Sequence, residues 1–335
     1  MSVSPCDLVR STEFGLYCPP GDFFIDPWQP VDRALLTHAH ADHARSGCGQ
    51  YLTSRAGETV ARSRLGEDAR IESLDWDERL NINGTRVSLH PSGHILGSAQ
   101  VRIEYQGDVW CVSGDYKLYH DPTCRRFEPV SCRVFVTEST FGLPIFRWPS
   151  AEEVIDQINS WWRANADGGR TSVIYCYSLG KAQRLLASLD ASIGPFFCHG
   201  AIARLNAAYQ ATGIELPECR LATEVSQPNE FTRGLILAPP SAQGTPWMRR
   251  FGDCATAIVS GWMAIRGHRR RRNVDHGFVL SDHADWDGLN AAVRNSGAER
   301  VLVTHGSTAP FTRWLSGQGI EAAELPAQFD TEAVQ

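Results

Sequence analysis

Three histidines and an aspartate fall within six positions of one another in the stretch LLTHAHADHARSG, residues 35–47: His38, His40, Asp42 and His43. The whole chain of 335 residues has only 11 histidines. The cluster follows directly on an apolar run, RALLT, that reads as a short strand. Where a chain leaves a sheet still extended, residues two apart point to the same side. His38 and His40 can therefore line one pocket, and Asp42 and His43, at the turn into the next segment, an adjacent one. Imidazole and carboxylate are the donors that suit zinc and related ions. An isolated H-x-H is more often a surface loop, but the full H-x-H-x-D-H after an apolar strand is a metal-binding pattern.

Two metal ions need more ligands than these four, and the chain offers three more after apolar runs. His94 stands in PSGHILGS, Asp115 in CVSGDY and His305 in VLVTHGS. Each alone reads as an ordinary strand-end residue. Together they complete a set: His38, His40 and His94 for one ion, Asp42, His43 and His305 for the other, and Asp115 bridging.

The rest of the chain sets the frame. ERLNINGTRVSLHPSG holds an Asn83-Gly84 turn between alternating segments, a hairpin signal, and AQVRIEYQGDVWCVSGD reads as a second hairpin. A helix is expected from Arg55 to about Leu65. Ser150 and Glu153 form a capping-box pattern before the amphipathic stretch AEEVIDQINSWWRANA. TSVIYCYSLGKAQRLLASL then reads as strand, glycine turn and helix, with further strands in RGLILAPPS and CATAIVSGW. Such alternation points to a parallel α/β layer. From Gly277 the pattern is strand, helix, strand. With 42% hydrophobic residues the chain can bury a large core. The expected organisation is a β-rich domain over 1–141 and 277–335, interrupted by an α/β insertion over 142–276.

A formal net charge of −6 argues against a generic DNA-coating protein, but not against a nuclease that carries its positive charge on metal ions and a local patch. Ten cysteines are scattered singly, with no C-x-x-C pair, and read as reduced, mostly buried thiols. The opening residues have no apolar signal-peptide core, and no run approaches the length of a membrane span. A cytoplasmic enzyme is the expectation.

THAHADH, GHILGS and SGDY resemble the signature of the metallo-β-lactamase fold. TEST with Glu138, LSDHADW with His283 and VTHG with His305 are similar to the three additional motifs of the β-CASP nucleases within that superfamily, and the interval between Glu138 and His283 leaves room for the inserted β-CASP domain. With YSLGKAQRLL and SGWMAIRG, the chain most resembles the bacterial exonucleases encoded with ATP-dependent DNA ligases. The resemblance implies an αββα sandwich with metals at one edge. It also implies two divalent ions, zinc with manganese as the alternative, and Asp26 of FIDPW as a carboxylate orienting a metal-bound histidine.

The implied chemistry is phosphodiester hydrolysis. Two ions offset by Asp42 and Asp115 leave the site positive, and a coordinated water can ionise near pH ~7 instead of ~15.7. Asp115, Glu138 and His283 are the implied catalytic residues: His283 as general acid for the leaving 3′ oxygen, and Glu138 orienting it. The expected function is a two-metal DNA exonuclease, 5′-to-3′ on single-stranded DNA, in a repair pathway with a DNA ligase or helicase. An RNA-processing β-CASP nuclease, of the ribonuclease J or cleavage-and-polyadenylation type, is the alternative. A catalytically dead scaffold is disfavoured because all seven ligands are present, and a small-molecule hydrolase because of the insertion.

Other candidates are softer. Ser178, the Gly180 amide and Lys181 stand at a strand-to-helix turn where a phosphate can bind. Arg269, Arg270, Arg271 and Arg272 are a candidate contact for a nucleic-acid backbone.

Overall fold

A computed structural model describes residues 7–267 and 273–326. The chain divides into two compact units. One takes the described residues up to Arg147 together with those from His283 on; the other is Trp148–Asp282. The division thus falls later, at both junctions, than the sequence pattern placed it. The reason is local. The rings of Phe141 and Phe146 pack 4.8 Å apart, and the Trp286 amide donates to the Phe146 carbonyl at 2.9 Å, which ties the chain up to Arg147 to the segment beyond His283. The strand His276–Phe278 pairs within the second unit.

The first unit holds two sheets. β1 (Arg10–Thr12), β2 (Gly15–Cys18), β3 (Phe23–Ile25), β4 (Arg33–Leu35), β5 (Gln50–Ser54) and β6 (Ile71–Leu74) lie side by side in chain order. In the second sheet β7 (Arg79–Ile82), β8 (Thr85–Pro91), β9 (Ala99–Tyr105), β10 (Asp108–Val112) and β11 (Val134–Ser139) are also in chain order, and β18 (Arg300–Gly306) and β19 (Glu321–Glu324) extend it beyond β11. Both predicted hairpins form. Ile82 pairs with Thr85 across Asn83 and Gly84, and Tyr105 with Asp108 across Gln106 and Gly107. All four turn residues have positive φ, the geometry of the two-residue turn that matches strand twist.

Alternation along these strands sorts the core. Leu16, Phe23, Ile25, Leu35 and Leu52 of the first sheet share one buried cluster with Val87, Val101, Ile103, Trp110 and Val134 of the second. The opposite side chains of the second sheet, among them Cys111, Phe135, Val301 and Val303, pack on Trp286 and Leu289 of a helix, α5 (Trp286–Ser296), and on Phe311 and Leu315 of another, α6 (Thr308–Gly317). Ala34 and Tyr51 of the first sheet, with Leu36 just past β4, meet Leu65 of α1 (Glu58–Leu65). Strands buried on both faces need continuous apolar runs, and VFV and VLV of β11 and β18 supply them. β10, β11 and β18 are mutually parallel, so their carboxyl ends lie at one edge of the sheet.

The second unit is a parallel sheet in the order β14 (Cys219–Leu221), β13 (Phe196–Cys198), β15 (Leu235–Ala238), β12 (Thr171–Tyr175), β16 (Cys254–Val259), β17 (His276–Phe278). Among the described residues its longer helices are α2 (Ala151–Asp167), α3 (Lys181–Ser188) and α4 (Gly200–Ala211). The Ser150 hydroxyl accepts the Glu153 amide at 3.2 Å, and the Glu153 carboxylate accepts the Ser150 amide at 3.1 Å, which completes the capping box that starts α2. Val154, Ile158, Trp162 and Ala166 then repeat every fourth residue and are all buried. The nine cysteines among the described residues are all free. No helix among the described residues is long and apolar enough to cross a membrane.

Candidate metal centre

The histidine cluster leaves the end of β4, and its geometry is set by Asp26, just past β3. Asp26 adopts φ 44°, which aspartate tolerates better than most residues. Its Oδ1 accepts the Thr37 amide at 2.8 Å, and its Oδ2 accepts the Thr37 hydroxyl at 2.5 Å. With its proton committed to Asp26, Thr37 Oγ1 can only accept from His38 Nδ1, 3.1 Å away. His43 Nδ1 also donates to Asp26 Oδ2, at 2.7 Å. One buried carboxylate thereby sets two tautomers, directly for His43 and through Thr37 for His38. In both rings Nε2 is then the atom turned toward a ligand. Gly114 protects this arrangement: at φ 56° it tolerates no side chain, and a Cβ there would meet Thr37 Cβ at 2.5 Å.

His38, His40, His94 and Asp115 converge so closely that one donor atom from each lies within 4.8 Å of all the others. His40 Nδ1 is 3.0 Å from His38 Nε2 and 3.1 Å from His94 Nε2. A tetrahedral ion with bonds of about 2.0–2.1 Å needs its ligand nitrogens roughly 3.3 Å apart. Three imidazoles and a carboxylate are also a suitable donor set for zinc, so these residues fit the ion the sequence implies. Asp115, just after β10, sits among them. Its Oδ2 is 3.4 Å from His43 Nε2, 3.5 Å from His38 Nε2 and 3.7 Å from His94 Nε2.

The charges follow this packing. Burial, reinforced by the neighbouring His43, holds the His38 imidazole well below its ordinary pKa, in the neutral form a ligand needs. Burial opposes ionisation of Asp115, but His43 and then His283 outweigh it and keep the carboxyl well below the usual range. Burial likewise opposes a charge on His43, yet Asp115, Asp42 and Asp26 together raise it well above its ordinary value.

Beside this cluster stands a carboxylate–imidazole pair. Glu138, near the end of β11, has both oxygens on His283 Nδ1, at 3.1 and 3.0 Å. Its Oε1 also accepts the Tyr116 amide at 2.8 Å, and its Oε2 the Thr140 hydroxyl at 2.6 Å. The His283 ring lies 4.7 Å from that of His94, and one donor each from Asp115, Glu138 and His283 fall within 4.8 Å of one another.

Asp42 and His305 stand further out. Asp42 Oδ2 is 3.6 Å from His43 Nε2, and the His305 ring centroid is 6.1 Å from that of His43. Neither joins a mutually close donor group among the described residues. A β-bulge aims His305. Register passes from Thr137↔Val303 to Ser139↔Gly306, so Glu138 faces two residues of β18, and His305 takes φ 55°.

The softer candidates fare differently. Lys181 is buried, and its ammonium is held by the Leu280 carbonyl at 2.8 Å and Asp282 at 2.9 Å. The Gly180 amide donates to Gln183 Oε1 at 2.8 Å, and the Ser178 carbonyl accepts Gln183 Nε2 at 3.1 Å. The turn is thus knit by its own residues, and the expected phosphate pocket of Ser178, Gly180 and Lys181 gives way to a buried ion pair. Arg269, Arg270, Arg271 and Arg272 lie outside the described residues. Sequence reading missed Thr37 and Lys117. The Thr37 signal was its place next to His38. Lys117 is fully buried, bonds Asp121 at 2.8 Å, and also donates to the carbonyl of His94. Nothing in a lone GDYK predicts a buried lysine.

No family model matches the chain. It is 32% identical over 316 residues to a probable DNA ligase of Opitutus terrae, covering 92% of this chain and 30% of that protein. It is 26% identical over 273 residues to the cleavage and polyadenylation specificity factor 73 of Drosophila melanogaster, covering 77% of this chain and 39% of that one. The chain thus spans about a third of the length of these relatives. Among solved structures, a protein of unknown function from Enterococcus faecalis V583 superposes with a TM-score of 0.62 at 12% identity, over 89% of this chain and 80% of that one, a likeness of fold alone.

Proposed function

We propose that this chain, which belongs to the β-CASP nucleases of the metallo-β-lactamase fold, is a two-metal exonuclease that hydrolyses single-stranded DNA from its 5′ end. In this reading the two sheets and flanking helices of the first unit are the αββα sandwich, and Trp148–Asp282 is the inserted β-CASP domain. His38, His40 and His94 would hold one ion and Asp42, His43 and His305 the other, with Asp115 as the ligand they would share. The observation that carries it is the position of Asp115 Oδ2, within 3.7 Å of three imidazole nitrogens and next to the Glu138–His283 pair.

Divalent ions at such a site supply Lewis acidity toward phosphoryl oxygens and a water acidic enough to ionise near neutral pH. The protein's own groups do the rest. Asp26 keeps His38 and His43 in the tautomers that present Nε2. Glu138 holds the proton on His283 Nδ1, orients the ring and favours its charged form, so Nε2 can deliver a proton to the departing 3′ oxygen. The kinship with a protein named as a DNA ligase supports a DNA substrate and action beside such a ligase in repair.

The test is digestion of end-labelled DNA and RNA strands, with free or phosphorylated 5′ ends and added zinc or manganese. A 3′-labelled DNA strand shortens progressively, faster with a 5′ phosphate, while a 5′-labelled one releases a terminal nucleotide or short piece. Cleavage of circular single strands at a comparable rate overturns the exonuclease reading. The alternative is an RNA-processing nuclease, supported by the similarity to cleavage and polyadenylation specificity factor 73 over 77% of this chain. Faster cutting of RNA than DNA selects it.

A further inference from the structure

We infer that the loop 119–126 of the first unit is a backbone-binding surface for a single nucleic-acid strand, with Arg125 and Arg126 as its phosphate contacts. The inference rests on the nuclease reading above.

Exposed arginines are common, and exposure alone decides nothing. What separates this pair is how its loop is fixed. Arg125 and Arg126 are both exposed. They are bracketed by Cys124, whose thiol donates to the Gly93 carbonyl at 3.4 Å, and by Phe127, whose amide nitrogen lies 2.9 Å from where a Gly93 Cβ would stand. Gly93, at φ 76°, is the residue before His94. Both ends of the arginine pair therefore abut the backbone of Gly93, the residue before a metal-ligand candidate, an approach close enough to require glycine.

The loop is also tied down beneath and at its start. The buried Lys117 ammonium joins the His94 carbonyl to Asp121, and Asp121 Oδ1 accepts the Thr123 amide at 2.8 Å and its hydroxyl at 2.6 Å. At the near end, the exposed Tyr119 donates its hydroxyl to Asp285 at 2.8 Å, two residues past His283. One loop is thus registered against both the His94 segment and the His283 segment. Its one buried carboxylate, Asp121, is paired with Lys117 beneath the loop, and its outer side carries two arginines in a chain of net charge −6. A polyanion approaching an acidic protein gains most from cations fixed beside the reacting centre, where phosphate contacts set the register of the strand.

The test compares Arg125→Ala/Arg126→Ala with its parent in a His283→Ala background, metal-loaded, on 20-nucleotide single strands of DNA and of RNA. Binding is read by fluorescence anisotropy between 50 and 300 mM salt. Loss of two phosphate contacts lowers the slope of log affinity against log salt by roughly 1.4, at about 0.7 per contact on a single strand, and lowers affinity at the low-salt end most. Arg125→Lys/Arg126→Lys recovers most of the slope. An unchanged slope and affinity on both polymers overturns the inference. A change on one polymer alone supports it and names the strand the loop reads. Hydrolysis of bis(p-nitrophenyl) phosphate by the wild-type protein is measured in parallel. No hydrolysis there, with the slope still lowered, removes the nuclease reading and leaves the binding surface standing.

Discussion

Asp26 Oδ2 lies 2.7 Å from His43 Nδ1 and 2.5 Å from the Thr37 hydroxyl that in turn faces His38. One carboxylate therefore sets the tautomers of two candidate ligands that belong to different ions in the proposed assignment. Asp26→Asn keeps the size of the side chain, but an amide nitrogen placed toward His43 donates where the carboxylate accepted, and favours the wrong tautomer. The expected outcome is a 10–100-fold loss of metal affinity, the usual cost of losing such a partner, with both ions affected. Competition against a chromogenic chelator measures it, and wild-type affinity at both sites refutes it.

Glu138 grips His283 with both oxygens and spends its remaining capacity on the Tyr116 amide and the Thr140 hydroxyl. If His283 is the acid, His283→Ala slows strand cleavage by roughly 10²–10⁴-fold, the usual worth of positioned acid–base catalysis. Metal content is expected to stay at the wild-type level, since Glu138 rather than an ion holds the Nδ1 atom. Elemental analysis that finds the variant short of metal moves His283 among the ligands instead.

Much of this site was legible in the sequence because its chemistry is local. H-x-H-x-D-H after RALLT compresses four donors into one loop, and the Asn83-Gly84 and Ser150/Glu153 signals rest on contacts within a few residues. What escaped is what depends on distant partners. Thr37 is an ordinary threonine until Asp26, 11 positions away, takes its proton. The motif reading gave Lys181 to a phosphate because a glycine precedes it. Its ammonium goes instead to Leu280 and Asp282, about 100 positions on, contacts that no window can see. The junctions at residues 147 and 283 likewise go with a contact between distant segments, the Trp286 amide on the Phe146 carbonyl, that composition does not show.

The charge on His43 yields a pH prediction. In the metal-free protein Asp115, Asp42 and Asp26 raise its pKa well above 6.5, against the effect of burial. A raised pKa contributes stability to the metal-free protein that is fully present below the unfolded value and fades as pH rises through the folded one. An ion must displace that proton to reach Nε2. Metal binding at neutral pH should therefore release about one proton at this residue, and affinity should strengthen with pH until His43 deprotonates unaided. Calorimetric titrations in buffers of different ionisation enthalpy count the protons. A binding enthalpy independent of buffer contradicts the prediction.

Lys117 and Asp121 make the last prediction, one about stability rather than chemistry. Their side chains are 1% and 3% exposed and 2.8 Å apart, and the lysine also holds the His94 carbonyl. Removing one partner of such a pair leaves the other charged in a nearly dry site, which typically costs about 3–5 kcal/mol. Lys117→Met should lower the stability of the metal-free protein by that order. Lys117→Met/Asp121→Leu should recover most of the loss, because an apolar replacement of both partners carries no uncompensated charge. The recovery should be incomplete for metal binding, since the His94 carbonyl loses its donor in both variants and the loop that carries the ligand loosens. Urea unfolding of the metal-free proteins and chelator competition on the loaded ones separate the two effects. A single variant as stable as the wild type means the Asp121 carboxylate finds water or protonates at little cost, and the pair is then not what holds the His94 loop.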